Sequence, residues 1–200
     1  MLKNLIRLSV LSLAVSAVAH ATPITAGSTV AGSVNTATLG SQLGFVNSSA
    51  PSQGSTANYS AAVYNDPSNP FCSSCLDFVF TMSDTGAGPI TVLEAGFFDP
   101  LYKYNVGYQG SGVAPVSITF NSNGTFDFNF SAMTSGTTTS HLIIQSSATA
   151  FQFGKIYPAG TGAASVLGAQ PIPVPEPGTL ALMGTGLAGL LGAAKRRFSV

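Results

Sequence analysis

The stretch that decides the fold reads Asn123-Gly124-Thr125-Phe126-Asp127-Phe128-Asn129-Phe130. An Asn-Gly pair favours the tight turn of a β-hairpin, and the six residues after it alternate between polar and aromatic side chains. Such alternation places the three phenylalanines on one face of a strand and the polar residues on the other. The pattern therefore predicts a strand of an antiparallel sheet that is buried on one face.

Similar alternation recurs on both sides of this hairpin, and turn-forming residues separate the segments at short intervals. Helix patterns are nearly absent between residues 22 and 170. We therefore predict an all-β fold for residues 22–169, an antiparallel β-sandwich of the immunoglobulin-like class. The segments predicted as strands are 76–83, 90–97, 102–108, 116–120, 125–130, 141–145 and 149–153.

The first part of this domain carries weaker signals. Residues 33–45 are candidates for edge strands. Residues 47–58 are predicted to form a long polar loop, because Ser and Asn are frequent there.

The composition narrows the class of protein. Only 7% of the 200 residues are charged, against roughly a quarter in an average soluble domain. Five of the seven basic residues lie near the two ends, so residues 22–170 hold two lysines and six acidic residues. Without a basic stripe to neutralise phosphates, this domain is not expected to bind nucleic acid. A surface hydrated by hydroxyls and amides, with membrane segments at the ends, explains the scarcity of charge.

The first 21 residues have the three parts of a secretory signal peptide. A positively charged start precedes an apolar run over residues 8–18, which only three serines interrupt. Ala19 and Ala21 supply the small residues three and one before a cut, so the prediction is cleavage before Thr22 after export by the Sec machinery. A short buried core helix is the alternative for this segment.

The C-terminal end has three parts in succession. Residues 170–177 contain four prolines, which forbid a helix and favour an extended spacer. Residues 178–194 carry no charge, and as a helix they would span about 25 Å, enough for a thin bilayer. The basic tip, residues 195–200, is expected to stay in the cytoplasm. These features predict a transmembrane helix that holds the exported domain outside the inner membrane.

The spacing of small residues in this helix leaves two interpretations open. Gly184, Ala188 and Gly192 are four residues apart, so they share one face on which another helix can approach closely. The alternative is a plain tail anchor, since glycine is common in membrane helices.

Pro175, Glu176 and Pro177, the Gly/Leu-rich stretch after them and the basic end together resemble the PEP-CTERM sorting signal. The resemblance implies recognition of these three residues by an exosortase, a multi-pass inner-membrane cysteine protease. It makes Lys195, Arg196 and Arg197 the stop-transfer cluster. It also implies a Gram-negative, biofilm-forming host that exports an exopolysaccharide, and delivery to the cell surface or the extracellular matrix. Residues 76–160 are similar to the central domain of many short proteins of this family, which supports the sandwich and names no activity.

The sequence contains no arrangement of residues that is typical of a catalytic or metal-binding site. Cys72 and Cys75 are interpreted as a short-loop disulfide formed after export. A thiol oxidoreductase would need a helix after the first cysteine, and a zinc site would need four ligands. His141 would have to serve any Ser-His-Asp triad, but no nucleophile motif accompanies it, and Glu94 and Asp99 carry no signal of a carboxylate pair. The sequence therefore predicts no enzyme, no cofactor and no metal.

Two functions remain for the domain. The first is a non-enzymatic surface or matrix protein that the tail sorts, and the alternative is a carbohydrate-binding module of the exopolysaccharide matrix. Sugar sites commonly expose aromatic platforms; this chain has no Trp, but Tyr102, Tyr104 and Tyr108 lie close together in sequence. Exposure of all three on one flat face would favour sugar binding, whereas burial of all three would favour a structural role.

Overall fold

The computed structural model describes residues 21–52, 55–156, 166–172 and 185. Within these residues the regular structure is almost entirely β, which confirms the predicted all-β class. The strands are β1 Thr22–Ile24, β2 Ser28–Ala31, β3 Ser41–Ser52, β4 Ser55–Asn65, β5 Leu76–Asp84, β6 Ile90–Ala95, β7 Tyr104–Gln109, β8 Ser117–Phe120, β9 Phe126–Met133, β10 His141–Ser146, β11 Phe151–Ile156 and β12 Val166–Pro171.

Ten of these strands form two sheets. The six-stranded sheet has the order β1-β7-β10-β5-β4-β3, and the four-stranded sheet has the order β2-β8-β9-β6. Strands β11 and β12 form a separate hairpin that lies against β3 and β4. All neighbouring strands pair antiparallel, as the sequence predicts.

Strand β9 shows how the alternating pattern builds the core. Phe126, Phe128 and Phe130 are buried, whereas Asp127 and Asn129 between them are only half-buried. The turn before β9 depends on Gly124, whose φ is 86°. A Cβ atom there would lie 2.7 Å from the carbonyl oxygen of Phe98, so only glycine fits the position.

Side chains of both sheets meet in one aromatic core around Phe98, which lies between β6 and β7. The Phe98 ring packs edge-on at centroid distances of 5.4 Å from Phe78 in the six-stranded sheet and 5.0 Å from Phe126 in the four-stranded sheet. Tyr104 and Phe120 also meet across the two sheets, at 5.2 Å. Each buried phenylalanine contributes about 1.5–3 kcal/mol by burial, so this contact between the sheets dominates the packing.

The prediction of a polar loop over residues 47–58 is wrong. Strands β3 and β4 cover this stretch and pair along residues 41–65. Small residues take several of the inward positions of β4, with Ala57 and Ala61 in the core beside Tyr59 and Val63. Alanine, serine and asparagine are poor strand formers on intrinsic preference, and burial against the other strands overrides that preference here. Residues 33–40 contribute a single isolated bridge, from Val34 to Tyr108, instead of an edge strand.

The hairpin of β11 and β12 covers part of β3. Gly44 in β3 faces this hairpin, and a Cβ atom there would lie 2.9 Å from the rings of both Phe151 and Phe153. Strand β12 runs to Pro171, whose register partner is Phe151. The first two residues of the proline-rich stretch therefore belong to a strand.

Replacing Phe98 by alanine is expected to lower the free energy of unfolding by about 3–5 kcal/mol, because it empties the ring position shared by the two sheets. The measurement is urea denaturation followed by circular dichroism. Val116→Ala is the control, since Val116 is 58% exposed and surface substitutions usually change stability by less than about 0.5 kcal/mol. An equal effect of the two substitutions would contradict the central place of Phe98.

Candidate functional site

The predicted sorting elements fall mostly outside the described residues. This applies to Ala19, to the motif Pro175, Glu176 and Pro177, and to the basic cluster Lys195, Arg196 and Arg197. Ala21 is the first described residue and lies directly before β1. Among the described residues no helix is long and apolar enough to cross a membrane, and the predicted span over 178–194 lies outside them except for Thr185. The signal peptide, the transmembrane helix and the cleavage site stay predictions.

The last residue before the predicted motif region is held on two sides. The backbone N–H of Ile172 donates to the carbonyl of Ala150 at 3.2 Å. The phenol of Tyr102 donates to the carbonyl of Ile172 at 2.8 Å. Burial, followed by the charge of Asp99, raises the pKa of Tyr102 above its usual range, which keeps the phenol a hydrogen-bond donor. The backbone of Ile172 is therefore attached both to the residue before β11 and to Tyr102.

The three tyrosines do not form an exposed platform. Tyr104 is only 2% exposed, and its phenol donates to the carbonyl of Asp99 at 2.8 Å. Tyr102 and Tyr108 are half-buried and pack against the core. The arrangement is neither of the two extremes considered from the sequence, and these tyrosines offer no flat aromatic surface to a sugar.

Cys72 and Cys75 are joined by a disulfide, with their sulfur atoms 2.08 Å apart. The bridge closes a tight turn in which the N–H of Cys75 donates to the carbonyl of Cys72 at 3.1 Å. Strand β5 begins at the next residue, Leu76. Since a strand follows the motif, the helix N-terminus that activates a redox cysteine is lacking in this part of the described chain.

The disulfide turn lies beside two buried carboxyl groups that the sequence did not single out. Asp66 and Asp77 are both fully buried. Oδ1 of Asp66 accepts from the N–H of Ser68 at 2.7 Å, and Oδ1 of Asp77 accepts from the amide of Asn69 at 2.8 Å. The second carboxyl oxygen of each residue, Oδ2, has no hydrogen-bond partner among the described residues. A proton shared between the two acids would give both oxygens a partner.

Burial raises the pKa of Asp77 to about 7, with a further contribution from the nearby Asp66. Below neutral pH the Asp77 carboxyl is therefore largely protonated. The two acids tie the loop after β4 to β5, because Asn69 bonds to Asp77 and, at 3.3 Å, to the carbonyl of Ser146 in β10. The position of Asp77 between Leu76 and Phe78 at the start of β5 is a sequence signal for this cluster.

The residues considered for catalysis are not brought together. Glu94 in β6 is the register partner of Asp127 in β9, whereas Asp99 lies in the following loop. Burial and then the charge of Asp127 raise the pKa of Glu94. His141 is exposed at the start of β10, where its register partner is Gln109. The described residues contain no group of three or more His, Cys, Asp or Glu side chains that could hold a metal ion.

The outer surface of β3, β4 and β5 carries hydroxyl and amide groups in rows across the strands. In one row Asn47 pairs with Ser60, which pairs with Thr81. In the next row Asn58 pairs with Ser83. This polar face lines a shallow depression whose residues include no charged side chain. Such groups can donate to and accept from the hydroxyls of a neutral sugar.

Comparison with known proteins identifies one segment. The family model for the PEP-CTERM protein-sorting motif matches residues 173–197. No curated protein and no solved structure matches the chain. The matched segment begins at the residue after Ile172, so the sorting segment directly follows the β domain.

Raising the pH from about 4 to about 7 is expected to destabilise the protein through Asp77. Its pKa is about 7 in the folded protein and about 3.9 in the unfolded chain, so the folded state holds the proton more tightly. The stabilisation is complete below pH 4 and is lost as the pH rises through 7, at roughly 1.4 kcal/mol for each unit of pKa difference. The measurement is the unfolding midpoint between pH 4 and 8.

The variant Asp77→Asn is expected to flatten this pH dependence, because an amide in place of the acid does not titrate. Asp99→Asn serves as the matched control for the chemical change. A slope that is the same in Asp77→Asn and in the unmodified protein would contradict the assignment of the proton to this pair.

Proposed function

The chain is a PEP-CTERM sorting-domain protein, and we propose that it is a non-enzymatic protein of the cell surface or the extracellular matrix. The match to residues 173–197 carries this proposal. The motif implies export, a membrane-anchored stage and processing by an exosortase. We propose Pro175, Glu176 and Pro177 as the residues recognised and Lys195, Arg196 and Arg197 as the cluster that retains the end in the cytoplasm.

An oxidising, extracytoplasmic location has independent support in the domain. The Cys72–Cys75 disulfide is of the kind that persists outside the cytosol. The surface hydrates largely through hydroxyls and amides, since only 7% of the residues are charged. We propose that Sec export with cleavage after Ala21 delivers the domain there, and that residues 178–194 span the inner membrane until processing. A Gram-negative host with an exopolysaccharide matrix completes the proposal.

The non-enzymatic part of the proposal draws support from the placement of the acids. Glu94 lies opposite Asp127, and the buried pair of Asp66 and Asp77 has its hydrogen bonds directed to a loop and to strands. We propose that the two packed sheets form a β-sandwich with a structural role. Burial of Tyr104, together with the half-burial of Tyr102 and Tyr108, fits that role.

A second candidate function is binding of a neutral polysaccharide of the matrix. The observation that favours it is the uncharged polar face formed by Asn47, Ser60, Thr81, Asn58 and Ser83. The groups on this face match the hydroxyls of sugars in hydrogen-bonding capacity. Because the three tyrosines form no aromatic platform, we favour the structural role over polysaccharide binding.

Changing Glu176 to alanine in the native host is expected to block processing, because the motif loses its one charged side chain. The protein should then remain at full anchored length in the membrane fraction, as followed by immunoblotting of cell fractions. Glu94→Ala is the matched control, since it removes a glutamate from the domain and leaves the motif intact. Unchanged size and surface delivery of Glu176→Ala would refute the sorting proposal.

Changing Asn58 to aspartate tests the second candidate. Asn58 is exposed on the polar face, and a carboxylate there would remove the amide N–H donor that a sugar hydroxyl could accept from. Retention of the protein on immobilised host exopolysaccharide should then fall by about tenfold, the effect of roughly one lost hydrogen bond to a charged or polar group. Ser131→Asp, on an exposed position of β9, is the control. Equal retention of all three proteins would exclude this face as the binding site.

A further inference from the structure

We infer that the free edge of β3 pairs with the β3 edge of a second copy of this chain, so that two six-stranded sheets become continuous. The inference concerns the β domain and does not depend on how the tail is processed.

Strand β3 lies at one end of the six-stranded sheet, and among the described strands β4 alone pairs with it. It spans 12 residues, which at about 3.3 Å per residue gives an edge of about 40 Å. The outward N–H and C=O groups of such an edge are a template for another strand.

The other end strands of the two sheets are shorter than β3 within the described chain. The opposite end of the same sheet, β1, has only three residues. In the four-stranded sheet β2 has four residues, and β6 has six with a bulge and the charged Glu94. Short length, bulges and charges are the devices by which natural sheets prevent edge pairing. Each of these three ends is therefore short or carries both a bulge and a charge, and β3 differs from all three in its length and from β6 in its lack of charge.

Strand β3 has little of this protection. Residues 41–52 include no charged side chain. A bulge between Gln42 and Gly44 lies near one end, and Pro51 lies near the other. Between them the register with β4 is uninterrupted. This leaves a regular uncharged edge along the middle of the strand.

Two large apolar side chains of β3 are exposed to solvent. Leu43 and Phe45 are 50% and 51% exposed. An added strand would cover part of both side chains while it satisfies the backbone groups. The edge therefore offers apolar contact together with backbone donors and acceptors that no described strand pairs with, the combination found where strands are added to a sheet.

A second copy is the occupant that these features favour. Antiparallel pairing about a two-fold axis brings the same segment of each copy together, so an edge without charge meets no repulsion from itself. Residues 157–165, which join β11 to β12, are a segment of the chain itself that is long enough to form a strand. An association of two copies depends on protein concentration, whereas coverage by residues 157–165 does not, and the two are distinguished on that basis.

The experiment uses sedimentation velocity of the full chain in detergent over a wide range of concentration. We expect a monomer–dimer equilibrium. Phe45→Lys should weaken the dimer by about tenfold or more, because it places a charge next to the edge. Val116→Lys is the control, since Val116 is equally exposed but precedes β8 in the other sheet, and it should leave the equilibrium unchanged. A chain that stays monomeric at every concentration would overturn the inference.

Hydrogen exchange separates edge pairing from other association and does not rely on a variant. Raising the concentration should slow amide exchange within residues 41–52 and leave β2 and β6 unchanged. Dimers that form without slower exchange in residues 41–52 would also overturn the inference, since the contact would then lie elsewhere.

Discussion

The packing of the Phe98 ring between the two sheets is the interaction on which the domain depends. The ring meets side chains of both sheets, and the backbone N–H of Phe98 donates to the carbonyl of Gly124 at 2.7 Å. The hairpin turn before β9 is therefore attached to the same residue that fills the core. Phe97, just before it, has a φ of 69°, a left-handed conformation that is costly for a bulky residue. This turn of the backbone directs one phenylalanine outward and the next one inward.

A second constraint is the treatment of charge inside the fold. Asp66 and Asp77 are buried together without a cation among the described residues close enough to form an ion pair with them, and a raised pKa removes the cost of a second charge. Their remaining oxygens accept from Ser68 and Asn69, so the acids organise the loop that leads to the disulfide and then to β5. In a chain with so few charged residues, these two stabilise a loop and not the surface.

The extent to which the sequence predicts the structure differs between elements. Strand β9 is predictable because large aromatic residues alternate with polar ones. Strand β4 is not, because alanines take several of its inward positions, and their burial becomes visible only after β3 and β5 are in place. The Asp66–Asp77 pair joins residues that only the three-dimensional fold brings together, so no local pattern reveals it. The sorting segment is the opposite case, since its motif, apolar stretch and basic end follow one another along the chain.

The attachment of Ile172 has a mechanical consequence. Tension applied through the C-terminal segment reaches β12 first, at the end where Pro171 lies beside Phe151. In that geometry the hydrogen bonds between β12 and β11 are loaded one after another, from Pro171 towards Val166. The hydrogen bond from the phenol of Tyr102 to the carbonyl of Ile172 lies at the end of the hairpin that is loaded first. We therefore expect the hairpin to act as a compliant element that yields before the rest of the domain.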